Sequence, residues 1–427
     1  MSTPEALYRN AIDLNRYSNS VARRVINSYN DIILDAVNQL RTIEDLDESF
    51  KAARLRSILA QLKESLATWA GDSTELTALE LQGLAELQSE FVEEQLKKVL
   101  PRGSRNIVRT VEISPQFAQA VVTTDPTQIN VVTLSDDLFA AVQGAPQTFS
   151  LTAAQGATIT LPNGKIVEKA FRGIAEDQAE LFAQVVRNGL LTGETTDDIS
   201  RRLKGRLRFG QPGSPKQIAA AGGQATTVAN NQVQALVRTS INQVANAASQ
   251  QVYEANQDIT KKYRYVATLD TRTSAICRAL DGREFEYGKG PKPPQHFNCR
   301  STTVAVVDYE GLGFDPPPAG KRAAAGGMVP ADTSYGQWLA KPLKGESSDE
   351  QILRKAQAFG FRGKKQKNES INMFYKRVRQ SPGHQQARYF DRLARKHGAR
   401  DAMAKLVRDD GSELTLQDLR RRYGKLD

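Results

Sequence analysis

"LVRTSINQVANAASQQVYEANQDITKKYRYVATLD", residues 236–270, changes its period part-way along. Val237, Ile241, Val244, Ala248 and Val252, with Val233 just upstream, recur at spacings of three and four. That spacing lays one narrow apolar stripe along a helix. Ala245, Ala247 and Ala248 leave room for a neighbouring element to approach closely. From "KKYRYVATLD" onward Tyr263, Tyr265 and Ala267 alternate instead, which is the period of a strand. A long helix feeding a strand predicts a mixed α/β core at this point in the chain.

Downstream, residues 271–301 read as a polar loop with a Pro-rich turn, and "TTVAVV" (302–307) reads as a second strand. The connecting loop holds Cys277 and Cys299, the only two cysteines of 427 residues, and His296, one of three histidines. Zinc takes thiolate and imidazole ligands, and His296-x-x-Cys299 puts two of them within reach of one ion. A tetrahedral site needs a fourth ligand, for which Asp270 and Asp281 are the nearest candidates. A structural zinc is therefore the one cofactor suggested. Three other readings fit the same residues: inert buried thiols, a histidine capping a turn, or a Cys277–Cys299 disulfide. A nucleophilic Cys–His pair would also need a group to orient the imidazole and a cleft for substrate, and neither is legible.

The rest of the chain divides by texture. Residues 1–104 carry helical periodicity with charged outer faces and predict a helical assembly region. Residues 105–173 are richer in β-branched residues, and Asn163-Gly164 predicts a hairpin near 157–168. Residues 174–312 return to helix before the strand–loop–strand, with Thr195 or Thr196 as N-cap of a short helix. Residues 313–330, "GFDPPPAGKRAAAGGMVP", read by composition as a flexible linker. Tyr335, Trp338 and Leu339 follow as core residues or an aromatic anchor. The expected fold class is α+β and predominantly helical, with a basic helical tail over 331–427. No run of apolar residues is long enough for a membrane span.

Charge is concentrated at that end. Residues 341–427 hold 22 Lys and Arg against 11 Asp and Glu, so the chain's net charge of +10 resides in the tail. Arg362, Lys364, Lys365, Lys367, Lys376, Arg377, Arg379, Arg392, Arg395 and Lys396 are candidate phosphate contacts. Phe374, Tyr375, Tyr389 and Phe390 lie among them, suited either to stacking on bases or to a small helical core. His384 and His397 lack cysteine neighbours and are expected at the surface.

"TLDTRTSAICRALDGREF…PKPPQHFNCRSTTVAVV" resembles the signature of the phage head morphogenesis family, the Mu-F-like minor head proteins. Asp270, Arg272, Thr273, Cys277, Asp281, Gly282, Pro294, His296, Asn298, Cys299 and Arg300 match it in place. Ser274 and Ser301 stand where the pattern has further cysteines. "GLLTGETTDDISRRL" and the Arg-Thr-x-x-Asn helix around Arg238 are similar to the family as well, so the resemblance runs over roughly 174–310. It implies a minor capsid protein of a tailed-phage virion, not an enzyme, inside the head near the portal vertex and in host cytoplasm during assembly. Portal protein, major capsid or scaffolding protein and packaged double-stranded DNA are the partners it implies, with a part in DNA packaging or ejection. A metal-dependent hydrolase or nuclease, and a non-specific DNA-binding accessory, are the alternative functions.

Overall fold

The computed structural model describes residues 3–43, 48–115, 117–118, 122, 148–151, 166–203, 224–318 and 320–425. Helices dominate, with few and short strands, so the expected helical α+β class is borne out. Helix α1 (Thr3–Arg41) packs on α2 (Glu48–Val99); α2 also packs on α3 (Val167–Leu191), α1, α2 and α3 all pack on α5 (Gln224–Ala255), and the short α4 (Thr196–Leu203) packs on α1 and α3. Trp69 ties three of these helices together. Its ring meets Tyr29 of α1 edge-on at 5.4 Å and Phe171 of α3 at 5.8 Å, and its indole N–H donates to the Val25 carbonyl at 3.1 Å. A buried indole whose one donor is satisfied contributes its full apolar surface to the core.

Helix α2 is continuous and spans about 78 Å at 1.5 Å per residue. Gly71 and Gly83 lie within it, both facing open space. Each glycine costs a helix about 1 kcal/mol, less than the burial of Trp69, Ala70, Ala78, Leu81, Leu84 and Ala85 around them returns.

The α5 stripe is buried as its spacing predicts: Val233, Val237, Ile241, Val244, Ala248 and Val252 are at most 1 % exposed. The helix leads into β3 (Thr260–Val266), central in a three-stranded antiparallel sheet between β4 (Glu284–Glu286) and β5 (Thr302–Val307). Tyr263 pairs with Phe285 on one side and Ala305 on the other. A parallel pair, β1 (Thr110–Ile113) with β2 (Thr148–Leu151), lies between the α2 and α3 segments in sequence.

Three expectations need correction. The loop between β3 and β5 is partly regular: it contains α6 (Ala275–Leu280), opened by Ser274 as N-cap, and strand β4. The hairpin expected near 157–168 lies mostly outside the described residues, but Val167 and Glu168 open α3 instead of continuing a strand. The 313–330 linker is a structured connection in its second half, where β6 (Lys321–Ala324) and β7 (Gly327–Pro330) form a hairpin. Composition missed it because Arg322, the side chain that anchors the hairpin, looks like any surface arginine in sequence.

The tail is a compact lobe of α7 (Tyr335–Ala340), α8 (Ser348–Ala358), α9 (Ile371–Gln380), α10 (Pro382–His397), α11 (Ala399–Ala404) and α12 (Leu416–Tyr423). Ser334, Ser347 and Thr415 open three of these helices with reciprocal capping boxes. Tyr335, Trp338, Leu339, Tyr389 and Phe390 fill one core, and Phe374 belongs to a smaller one. The interleaved aromatics, Tyr375 excepted in being half-buried, thus serve packing and not base stacking. Gly336 is required at the α7–α11 crossing, since a Cβ there would sit 1.9 Å from the Ala399 carbonyl oxygen.

Candidate functional site

The signature loop sits between the helical bundle and the C-terminal lobe, over a small core of Tyr265, Ala267, Cys277, Leu280 and Cys299. Cys277 is on α6. Cys299 follows His296 through a tight turn in which the Cys299 N–H donates to the His296 carbonyl at 3.2 Å. The two sulfurs are 3.7 Å apart and His296 Nε2 is 3.4 Å from Cys277 Sγ. Zinc–sulfur bonds of about 2.3 Å and zinc–nitrogen bonds of about 2.0–2.1 Å at tetrahedral angles require S···S of about 3.8 Å and S···N of about 3.6 Å. The three donors therefore fit one metal ion. The Phe297 carbonyl lies 2.8 Å from His296 Nδ1, and a carbonyl only accepts, so Nδ1 carries a proton and Nε2 is the ring nitrogen turned toward the sulfurs.

The fourth corner is not a carboxylate. Among the described residues, only Cys277, His296 and Cys299 form such a cluster. Asp270, expected as a ligand, is held by Arg300 through two hydrogen bonds of 2.5 and 2.9 Å and accepts from the Arg272 N–H at 2.9 Å. Burial raises its pKa, but Arg300 and Arg272 outweigh that and hold the carboxyl below its usual range. Asp281 is committed elsewhere too: it accepts from the Ala267 and Tyr335 N–H groups, both at 2.6 Å, and pairs with Arg322 at 3.1 Å. On the Nε2 side of the imidazole, Ser274 Oγ lies 2.8 Å from His296 Nε2, at one of the two positions where the family pattern has cysteine.

The electrostatics favour one anionic sulfur, that of Cys299, beside a neutral Cys277 thiol. A hydrogen bond from Cys277 lowers the Cys299 thiol well below its ordinary value against the cost of burial, and His296 lowers it further. The same contact, with burial, pushes Cys277 up, while the Cys299 contact raises His296. Tyr265 OH, 3.2 Å from Cys277 Sγ, closes the cluster from below.

Around this cluster the other signature residues brace the backbone. Thr273 Oγ1 donates to the Thr268 carbonyl at 2.5 Å, Gly282 turns the chain after α6 with φ of 80°, and Asn298 occupies the left-handed region with φ of 58°. Helix α5 supplies a second stripe that the apolar reading left out: Thr239, Asn242, Asn246 and Gln250. Thr239 Oγ1 accepts from Asn298 N–H at 3.0 Å, Asn242 Nδ2 donates to the Ser301 carbonyl at 2.9 Å, and Gln250 Nε2 donates to Thr303 Oγ1 at 2.8 Å. Polar residues at the same three-and-four spacing as an apolar stripe were the signal available in the sequence.

Residues 180–304 match the family of phage Mu protein F like proteins. The match spans α3's second half, α4, α5, β3, β4, the first half of β5 and the whole cluster, under a third of the chain. It bears out the resemblance read from the signature and points to a part in phage head morphogenesis. No curated protein and no solved structure matches the chain. No helix among the described residues is long and apolar enough to cross a membrane.

The candidate phosphate contacts of the tail have mixed roles. Arg377 is bound to Glu369 at 2.8 Å and lies over the rings of Phe361 and Phe374, so it is a packing residue. Arg379 pairs with Asp349, Arg392 donates to the Lys425 carbonyl, and Arg362 donates to the Gln357 carbonyl. Lys364, Lys365, Lys367, Lys376, Arg395 and Lys396 are exposed. His397 is exposed, whereas His384, expected at the surface, is half-buried, and burial lowers its pKa.

Proposed function

We propose that the protein is a minor structural component of a tailed-phage head, acting by binding near the portal vertex during assembly. The observation that carries this reading is the signature loop, which matches the family and is bolted from both sides. Asp281 and Arg322 join it to the β6–β7 hairpin, and Arg278, only 4 % exposed, joins it to Glu413 of the C-terminal lobe at 2.9 Å. A segment clamped in this way is suited to fix the relative placement of a bundle and a lobe. Helices α1 and α2 would meet the portal or a scaffolding protein, and Leu79 and Leu87, both 67 % exposed on α2, are available for contact. The exposed lysines of 364–367 would face packaged DNA or another polyanion.

Cys277, His296 and Cys299 would hold a structural zinc, with Ser274 Oγ or water at the fourth corner. Bound there, the ion would stabilise both thiolates and tie α6 to the start of β5. A second reading, a metal-dependent hydrolase, has one observation in its favour: a three-ligand set beside an open cavity that Cys299 lines. Zinc-dependent DNA cleavage by the pure chain, lost in H296A, would establish it.

Crosslink mapping in assembling heads tests the assembly reading. Crosslinks from α1 or α2 to the portal protein are expected. Absence of the chain from both finished particles and their precursors refutes it.

A further inference from the structure

A cavity of about 380 Å³ opens between α1, α5 and the signature loop, on the solvent side of the Cys/His cluster. Arg238 of α5 and Arg272 and Arg300 of the loop converge on it. Among the described residues Asp270 is the one carboxylate engaged with them, bound twice by Arg300 and 3.5 Å from the Arg272 guanidinium. Arg238 has no carboxylate partner among the described residues. Its Nε donates to Asn19 Oδ1 at 2.7 Å and its Nη1 to Asn298 Oδ1 at 3.4 Å, amides that orient a guanidinium without neutralising it. Arg16 lines the mouth, and Asp13 at 3.3 Å matches its charge. Three guanidiniums against one carboxylate leave a net charge of +2 around an open cavity.

We propose that this cavity binds a phosphate monoester, carried by a free nucleotide or by the 5′ end of a DNA strand. Guanidinium forks match phosphate oxygens, and a monoester carries close to two negative charges at neutral pH. A dianion balances the site, whereas one carboxylate would leave a positive charge uncompensated. The volume accommodates a phosphate with part of its nucleoside and lies at the lower end of the range for small-ligand sites. The inference goes beyond the assembly reading and does not depend on it. It gives the Arg-Thr-x-x-Asn helix a task besides packing: Thr239 and Asn242 hold the loop, and Arg238 reaches past it into the cavity.

Calorimetric titration of the full chain tests this with inorganic phosphate, thymidine monophosphate, and a short DNA duplex with 5′-phosphate or 5′-hydroxyl ends. Binding is expected to weaken about 10-fold or more in Arg238→Gln, which removes a charged hydrogen-bond donor. In Arg272→Gln, at a side chain 79 % exposed, the expected loss is about 3-fold. Binding of the free phosphates with those losses supports the site with a free nucleotide as source. Preference for the 5′-phosphorylated duplex, with the same losses, supports it with a DNA end. If Arg238→Gln fails to fold, Arg272→Gln alone decides: unchanged affinity overturns the proposal. It is also overturned if no probe binds, or if duplex binding ignores both substitutions and the 5′-phosphate. Loss of duplex binding only on neutralising Lys364, Lys365 and Lys367 would place the contact in the tail and likewise overturn this site.

Discussion

Substituting Arg322 with methionine removes the bolt between the signature loop and the hairpin after it. The Arg322 side chain is 5 % exposed and that of Asp281 fully buried. The guanidinium donates to Asp281 Oδ1 at 3.1 Å and Oδ2 at 3.3 Å, to the Thr333 carbonyl at 3.0 Å, and to the Ala267 carbonyl. Its loss leaves Asp281 charged in a dry site with only the Ala267 and Tyr335 N–H groups as donors. Breaking a buried pair from one side costs about 3–5 kcal/mol, and the two carbonyls add to the upper end of that range. Removing both charges, in R322M with D281N, should cost less than the sum of the single changes, because no uncompensated charge remains. Trp338 is a local reporter: it is buried in the C-terminal lobe and its indole donates to the Ala325 carbonyl at 3.2 Å, inside the hairpin turn. In a Trp69→Phe background it is the only tryptophan left, so urea unfolding followed by its fluorescence reads this part of the molecule. A loss below about 1 kcal/mol in R322M, the size of an exposed ion pair, would show that the bolt carries no strength.

Metal analysis of protein purified with zinc should find one ion per chain, reduced in C277S and H296A; wild-type protein free of zinc would remove the metal reading. Gly336→Ala should destabilise the lobe by about 1–3 kcal/mol or more, since the methyl group meets the Ala399 carbonyl, and an unchanged melting temperature would contradict the close crossing. Asp270 is depressed in the folded state, so its stabilisation is present above the ordinary carboxylate range near pH ~3.9 and is lost as pH falls through its lower folded value. The wild type should therefore lose stability between pH 5 and pH 2.5 more steeply than D270N, and parallel melting curves would refute this (pH limits on the order of one unit either side of that range). Neutralising Lys364, Lys365 and Lys367 should lower the salt dependence of any DNA binding, as followed by fluorescence anisotropy. The log–log slope should fall by about 0.9 for each phosphate that a lysine no longer neutralises.

Much of the core was legible because burial repeats with the backbone. The apolar stripe from Val233 to Val252 and the alternation of Tyr263, Tyr265 and Ala267 follow from one element meeting one interior, and all of these residues are buried. Cysteine and histidine scarcity was enough to single out Cys277, His296 and Cys299, which the fold brings within 4.8 Å of one another. The carboxylates were misassigned as ligands because sequence proximity carries no direction. Asp270 and Asp281 are close to the cluster along the chain, yet their oxygens turn toward Arg300 and Arg322.

Local periodicity and composition, then, determined by themselves the long helix and strands around the signature loop and where rare, reactive side chains gather. Only the tertiary structure decided that a Gly/Ala/Pro-rich stretch is a hairpin, that the basic tail is a packed lobe, and that three arginines far apart in sequence share one cavity. Each of those outcomes depends on contacts between groups well separated along the chain, and the anchoring of the hairpin by Arg322 on Asp281 is the clearest case. Such pairing leaves no period in the sequence, because the partner that makes burial affordable to a charge is chosen by the fold.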